Sequence, residues 1–424
     1  MHRLFVSCVA VAQLLGSVVA VPSRGHGDSR PQYEVPGGDL PEYEVDGDQS
    51  RLLELQAEGR DNVREYLVDR PSGGCTEDNL SIRREWRFIS EEDRRDYIDA
   101  VYCLRSLPSL FTEDEAPGSR NLYDTFSAVH INMTQMIHGN FNFLAWHRYF
   151  VWAYEQALQD KCGYNGPTPY WEWGYDVEDP HASPLFDGSP TSLGSDGEYL
   201  EDREDFWIQS PPPPIPLPPP GNGTVYPAGL GGGCVMEGPF SGEVEVHLGP
   251  ISISGVRNTS DILGYNPRCL SRDLNPYIGQ HFTAFNWTTW TIEESPDIVA
   301  FLSRLAGDAG QGHGNYTLNA IGGHGGGHLF LGGMTGSHSD FYASPQDPVF
   351  YLHHGQIDRA WSIWQWQDIE DREDQAFGTL TFGNIPPSRE GSLDDLIDLG
   401  PLAPAIPMRE TMNTVDGPFC YYYE

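Results

Sequence analysis

Two stretches decide the reading of this 424-residue chain: His138-Gly139-Asn140-Phe141-Asn142-Phe143-Leu144-Ala145-Trp146-His147-Arg148 and Asp347-Pro348-Val349-Phe350-Tyr351-Leu352-His353-His354-Gly355-Gln356-Ile357-Asp358-Arg359-Ala360-Trp361. In each, an aromatic residue stands four places before a histidine, Phe143 before His147 and Phe350 before His354. On a helix that spacing puts ring and imidazole on one face. The sequence around the first stretch, 124–160, is aromatic and nearly free of helix breakers, which predicts a helix too apolar for the surface. His324 and His328 are also four apart, so a helix there would present two imidazoles at metal-chelating spacing. The histidines thus fall into two groups, His130, His138 and His147 in one, His324, His328, His353 and His354 in the other.

A single buried histidine is commonly a core residue satisfied by hydrogen bonds. Six at paired spacing with matching aromatic partners call for a metal. Neutral imidazole suits Zn, Cu, Fe and Ni, and a donor set without carboxylate or thiolate disfavours hard cations and iron–sulfur chemistry. His324-Gly325-Gly326-Gly327-His328 lacks the general-base Glu of a zinc protease helix. Copper, with three histidines on each of two ions, fits this donor set best.

The two quoted stretches resemble the first and second copper motifs of the tyrosinase family, and Pro169-Tyr170-Trp171-Glu172-Trp173 resembles the aromatic block that follows the first motif. The likeness runs from about 75 to 370, with a layout similar to short secreted fungal tyrosinases and catechol oxidases. It implies a mainly α fold, a central four-helix bundle holding a dinuclear copper centre, with long loops and few short strands. It further implies that His130, His138 and His147 hold one copper and His324, His328 and His354 the other, with His353 a neighbour. Phe350 is then expected beside the centre, orienting an aromatic substrate, and Asp358 and Arg359 are expected to fix ligand orientation from behind. The implied activity is oxidation of o-diphenols to o-quinones with O2 as co-substrate.

Three departures from the family pattern bear on activity. Relatives that hydroxylate monophenols efficiently carry Asn directly after the first histidine of the second motif, where it helps hold a water that acts as base; this chain has Gly325. The expectation is therefore oxidation of o-diphenols or o-aminophenols over monophenol hydroxylation. Met136 stands near His138 where many relatives place a Cys cross-linked to that histidine, so no thioether is expected. The glycines at 325, 326 and 327 cost a helix about 3 kcal/mol relative to alanine, tolerable only if packing, metal or a close approach by substrate requires them. With about 50 residues after the second motif in this sequence, shielding of the site by a large C-terminal domain is not expected.

Working outward, 61 acidic residues against 25 basic ones give a net charge of −36. Such a polyanion repels phosphate backbones and anionic lipid surfaces, so a neutral or cationic small partner is expected, with no nucleic acid and no membrane anchor; the resemblance implies that this partner is a small phenol or a tyrosine-containing peptide. Residues 1–20 read as a secretory signal, a basic start followed by an apolar run and Val18-Val19-Ala20. Residues 21–50 read as a disordered acidic, Pro- and Gly-rich lead, 51–370 as the dicopper catalytic domain, and 371–424 as an acidic tail tied to the body by Cys420. The proline-rich segment 210–221 reads as an insertion rather than an interdomain linker, because the histidines lie on both sides of it. Amphipathic helices are expected at 51–69 and 80–106.

Beyond the signal, six cysteines remain, Cys75, Cys103, Cys162, Cys234, Cys269 and Cys420, which predicts three disulfides of unspecified pairing in an oxidising compartment. Sequons at Asn79, Asn132, Asn222, Asn258, Asn286 and Asn315 agree with secretion. A competing reading from another class is a hemocyanin-like O2-binding protein without catalysis. Within the enzyme class, the chain could modify tyrosine-derived units in a fungal secondary-metabolite or peptide-toxin pathway.

Overall fold

The computed structural model describes residues 45–69, 74–201, 203–208, 224–242, 244–252, 260–307 and 321–424. The expected signal, most of the expected lead, the proline-rich segment and the sequons at Asn222, Asn258 and Asn315 lie outside the described residues. The remainder is mainly helical. The helices are α1 (Val45–Asp69), α2 (Glu91–Ser106), α3 (Leu122–Ile137), α4 (Phe143–Cys162), α5 (Pro276–Phe282), α6 (Phe285–Glu293), α7 (Ile298–Ala306), α8 (Gly322–Gly332), α9 (Val349–Trp366) and the short α10 (Ile369–Arg372). All 18 residues of α9 are buried, so this helix is the centre of the molecule. α4 and α8 pack against it, and α3 packs against α4.

Local chemistry sets the boundaries of these helices. Ser90 caps α2 by accepting from the Asp93 amide, and Glu91, Glu92 and Asp93 fill its first turn, where the helix dipole favours negative charge. Asn121 caps α3 in the same way through Asp124. The single helix expected over 124–160 is in fact two. His138 adopts an extended conformation at the end of α3, and Gly139 follows in the left-handed region at φ 51°. An unbroken helix would carry His138 and His147, nine residues apart, on opposite sides; the break turns their rings to within 4.9 Å. The helix expected at 80–106 is likewise shorter, with a strand at Ser81–Arg83 and a 3-10 turn at Trp86–Phe88 before α2 begins. α1 begins at Val45, inside the stretch whose composition suggested a disordered lead; Asp48 is buried and Gln49 donates to Tyr175 Oη.

The strands are short and pair two by two. β1 (Ser81–Arg83) runs parallel to β10 (Tyr421–Tyr423), while β2 (Gly197–Tyr199) with β5 (Gly232–Val235), β3 (Phe206–Ile208) with β4 (Thr224–Tyr226), β6 (Glu245–Val246) with β7 (Arg268–Cys269), and β8 (Leu396–Ile397) with β9 (Ile406–Pro407) are antiparallel. β3 and β4 flank the proline-rich segment and pair with each other, so both of its ends return to one place.

Three disulfides form, Cys75–Cys420, Cys103–Cys162 and Cys234–Cys269. The second ties α2 to α4. The first fastens the C-terminus, but the tail is more than tethered. Tyr421, Tyr422 and Tyr423 are buried, and the hydroxyls of Tyr421 and Tyr423 donate to Asp358 Oδ2 on α9 at 2.6 and 2.5 Å. The composition of 371–424 suggested an acidic tail tied to the body by Cys420; its last strand is core.

Candidate metal centre

Four helices and one turn deliver the histidines. α3 carries His130, the 138–142 turn carries His138, α4 carries His147, α8 carries His324 and His328, and α9 carries His353 and His354. The structure brings all seven together in two groups, His130, His138 and His147 in one and His324, His328, His353 and His354 in the other. Within each group the candidate ligand nitrogens lie within 4.8 Å of one another. The groups face each other, with the His147 and His354 rings stacked 4.3 Å apart and those of His138 and His324 5.9 Å apart.

In the first group each ring is aimed by a backbone carbonyl. Nδ1 lies 2.6 Å from Tyr342 O in His130, 3.0 Å from Thr134 O in His138 and 2.8 Å from Phe143 O in His147. A carbonyl only accepts, so the ring proton sits on Nδ1 and the Nε2 lone pair is free. Nε2 of His130 and of His147 is buried with no hydrogen-bond partner. Buried polar atoms are almost always satisfied, and two unpartnered lone pairs on converging rings fit a metal ion. In the second group His328 Nδ1 is held by His338 O at 2.8 Å, its Nε2 lies 3.2 Å from Nε2 of His324, and both nitrogens of His354 are buried without a partner.

His353 differs from its neighbours. Its Nδ1 accepts from the Trp173 indole N–H at 3.1 Å. An indole nitrogen can only donate, so the proton of a neutral His353 sits on Nε2, which is itself buried without a partner, and this tautomer presents no lone pair beyond the one the indole occupies. His324, His328 and His354 make no contact of this kind with an indole among the described residues. Burial pushes every one of these imidazoles downward, His138 to about 3 and His328 to about 4. They are therefore neutral at physiological pH, the form a metal needs.

The glycine run of α8 has a packing cause at two of its three positions. A Cβ on Gly327 would come 2.4 Å from His353 Cε1 and 3.1 Å from Trp173 Nε1, and one on Gly326 would come 2.6 Å from Phe282 Cβ. A Cβ on Gly325 would meet only Ile321 Cβ, at 3.2 Å. Gly325 thus lies on the open side of the helix, and nothing beside it demands glycine.

Phe350 has no exposed surface; its ring lies 4.3 Å from that of His354 and 5.3 Å from that of His130. It packs between the two groups at the closed end. The ring nearer solvent is the half-buried Phe341, 4.7 Å from His138. Asp358 and Arg359 make no hydrogen bond to a histidine ring among the described contacts. Asp358 accepts from Arg148 Nε at 2.5 Å and from the two C-terminal tyrosines, tying α9 to α4 and β10. Arg359 donates to Glu172 Oε2 at 2.5 Å and to Gln56 Oε1 at 2.7 Å, tying α9 to the aromatic block and to α1. Both place the helix that carries His354 rather than touching its ring.

Sequence reasoning missed Trp173 as the partner of His353, Phe341, and the carbonyls of Tyr342 and His338. It also missed His338 itself, a buried histidine 4.7 Å from His328 whose ring nitrogens find no hydrogen-bond partner. Hydrogen bonds accepted by backbone carbonyls leave no trace in residue identity, so only the chain path reveals them.

The model of the common central domain of tyrosinase matches residues 120–367, the span that holds all seven histidines. Tyrosinase P of Aspergillus terreus is 40% identical over 359 residues, covering 83% of this chain and 94% of the relative. An N-acetyl-6-hydroxytryptophan oxidase of Emericella nidulans is 36% identical over 367 residues, covering 82% of this chain and 94% of the relative. A mutant polyphenol oxidase from Thermothelomyces thermophila superposes with a TM-score of 0.77 at 36% identity, covering 88% of this chain and 98% of that one. Facing histidine groups, unpartnered lone pairs and a domain match over more than half its length place this chain in the tyrosinase family, as a dicopper oxidoreductase.

Proposed function

We propose that this chain oxidises o-diphenols, or o-aminophenols, to the corresponding o-quinones with O2 as the oxidant. The observation that carries the reading is the pair of facing histidine sets with unpartnered, buried Nε2 atoms. His130, His138 and His147 would hold one copper, and His324, His328 and His354 the other. Two bound coppers supply the electron transfer between phenol and O2, each diphenol giving up two electrons and two protons and each O2 taking four to become water.

The chain's own contribution is position and exclusion. Backbone carbonyls fix four imidazoles, Trp173 keeps the adjacent His353 from competing for the second copper, and Phe350 fills the closed end so that water does not. Substrate approaches from the Gly325 side. Glycine there offers no group to hold a water that could deprotonate a monophenol, which supports diphenol over monophenol oxidation.

A panel of catechol, o-aminophenol, 4-methylphenol and a 6-hydroxyindole on copper-loaded protein tests this. The hydroxyindole belongs in it because one relative is named for oxidising N-acetyl-6-hydroxytryptophan. Catechol or o-aminophenol should turn over fastest and 4-methylphenol slowest. Reversible O2 binding with no oxidation of any member would establish the hemocyanin-like alternative. A role on tyrosine-derived units of a secondary metabolite or peptide is decided by the same assay with tyrosyl peptides.

Secretion, or residence in the secretory lumen, is the location we assign, supported by three disulfides that need an oxidising compartment. Among the described residues no helix is long and apolar enough to cross a membrane.

A further inference from the structure

Solvent reaches the histidine cluster from one side. His130, His353, His354 and His147 are 0–2% exposed, His138 is 3%, His324 is 9% and His328 is half-buried, so the accessible side runs along the last three. Phe341 stands there, its ring 4.7 Å from His138 and tilted by 45°. Against the far side of Phe341 rests Phe382, 5.5 Å away and close to edge-on, from a segment beyond the second metal motif.

That segment is anchored on the same turn that carries His138. Phe141 N donates to Thr379 O at 2.8 Å, and Gly383 N donates to Gly139 O at 3.2 Å. Gly378 and Gly391 bond to each other and close round Phe141, where a Cβ on Gly391 would fall 2.1 Å from the Phe141 ring. Within the loop, Leu380 N and Ser388 N donate to Ser388 Oγ and Asn384 Oδ1 respectively. Phe382 is therefore presented by a braced loop rather than by a free tail.

We infer that Phe382 is a specificity-determining residue of the copper site: it holds the Phe341 ring across the opening beside His138 and so favours narrow, planar phenols over those with bulky ring substituents. The inference rests on the proposed oxidation of phenols. Phe382 acts through Phe341 and is a positioning residue.

The experiment compares copper-loaded wild type, Phe382→Ala and Phe382→Tyr, each with catechol and 4-tert-butylcatechol. In Phe382→Ala the ratio of kcat/KM for the bulky over the small substrate should rise by about tenfold, the size of effect a few methyl groups in a pocket produce. The change should lie in KM rather than kcat, with copper content as in wild type, and Phe382→Tyr should restore the wild-type ratio. A second arm needs no turnover: the dissociation constants of benzohydroxamate and its 4-tert-butyl derivative should shift in the same ratio. An unchanged ratio in both arms overturns the inference. If wild type oxidises neither substrate, the proposed function fails and the chelator arm alone decides the role of Phe382. Should Phe382→Ala not fold, Phe382→Leu takes its place, with a smaller rise expected and an unchanged ratio again fatal.

Discussion

The two halves of the metal centre are built by different means. In the first, three Nδ1 atoms rest on carbonyls of their own or a neighbouring segment, and the helices α3 and α4 that carry His130 and His147 contain no glycine or proline. In the second, only His328 among the three proposed ligands has such a support. There the supporting helix α8 has glycine at six of its eleven residues, and Nε2 of His324 faces Nε2 of His328 across 3.2 Å. With His328 Nδ1 donating to His338 O, its Nε2 is an acceptor for a proton on His324 Nε2, and a metal bound to both nitrogens would have to displace that proton. The first pocket is pre-organised by backbone carbonyls; the second is shaped mainly by packing.

The largest effects should come from the ligands themselves. Replacing His147 or His354 by Ala should lower copper from about two ions per chain to one or none and abolish catechol oxidation, since each ion needs its three imidazoles. The contrast between the halves predicts more: His354→Ala should retain the copper of the pre-organised first pocket. Copper analysis showing both ions lost equally in both variants would break the distinction.

A second test uses acid on copper-free protein. His138 and His328, one from each half, have folded-state values pushed to about 3 and about 4 by burial. Between those values and about 6.5 the unfolded chain binds their protons and the folded chain does not. Stability is therefore full above about 6.5 and falls as pH drops toward 4, by about 1.4 kcal/mol per pH unit for each of the two groups. Denaturant midpoints measured from pH 7 to pH 5 should fall accordingly, and copper should shift the drop to lower pH by competing for the same nitrogens. A flat profile would show that these rings are more solvated than their burial indicates.

The finest test lies within α8. Helix propensity predicts that alanine at Gly325 and at Gly327 stabilises equally. The structure predicts a split. Gly327→Ala drives a methyl into His353 and Trp173 and should cost about 1–3 kcal/mol, lowering affinity for the second copper. Gly325→Ala should change stability by less than about 1 kcal/mol in either direction. Equal effects in thermal melts would mean that the second half is looser than its packing suggests.

The site was legible to the extent that side-chain identity carries it. Phe143 before His147, Phe350 before His354, and His324 before His328 revealed the helices because a four-residue spacing has one structural meaning. The break at His138 was not legible: 124–160 reads as one apolar helix, and Gly139 alone does not announce a turn. The lead was read from its prolines, glycines and acids, yet 45–50 joins α1 because Asp48 and Gln49 find partners far away in the chain. Asp358 and Arg359 were read as supports of the ligands; they do serve α9, but by way of Arg148, the C-terminal tyrosines and Glu172.

By itself, the sequence determined the donor chemistry, the helical class and the presence of two metal motifs, because these depend on residue type and local period. Tertiary structure decided which nitrogen of His353 carries its proton, which glycines are required, and that Phe382 of a C-terminal segment rests on the Phe341 ring beside His138. Each of those depends on a single distant contact: the Trp173 indole on His353, the His353 ring against Gly327, and Phe382 against Phe341. No local pattern encodes a contact between residues dozens or hundreds of positions apart, and a proton on one nitrogen rather than the other follows from just such a contact.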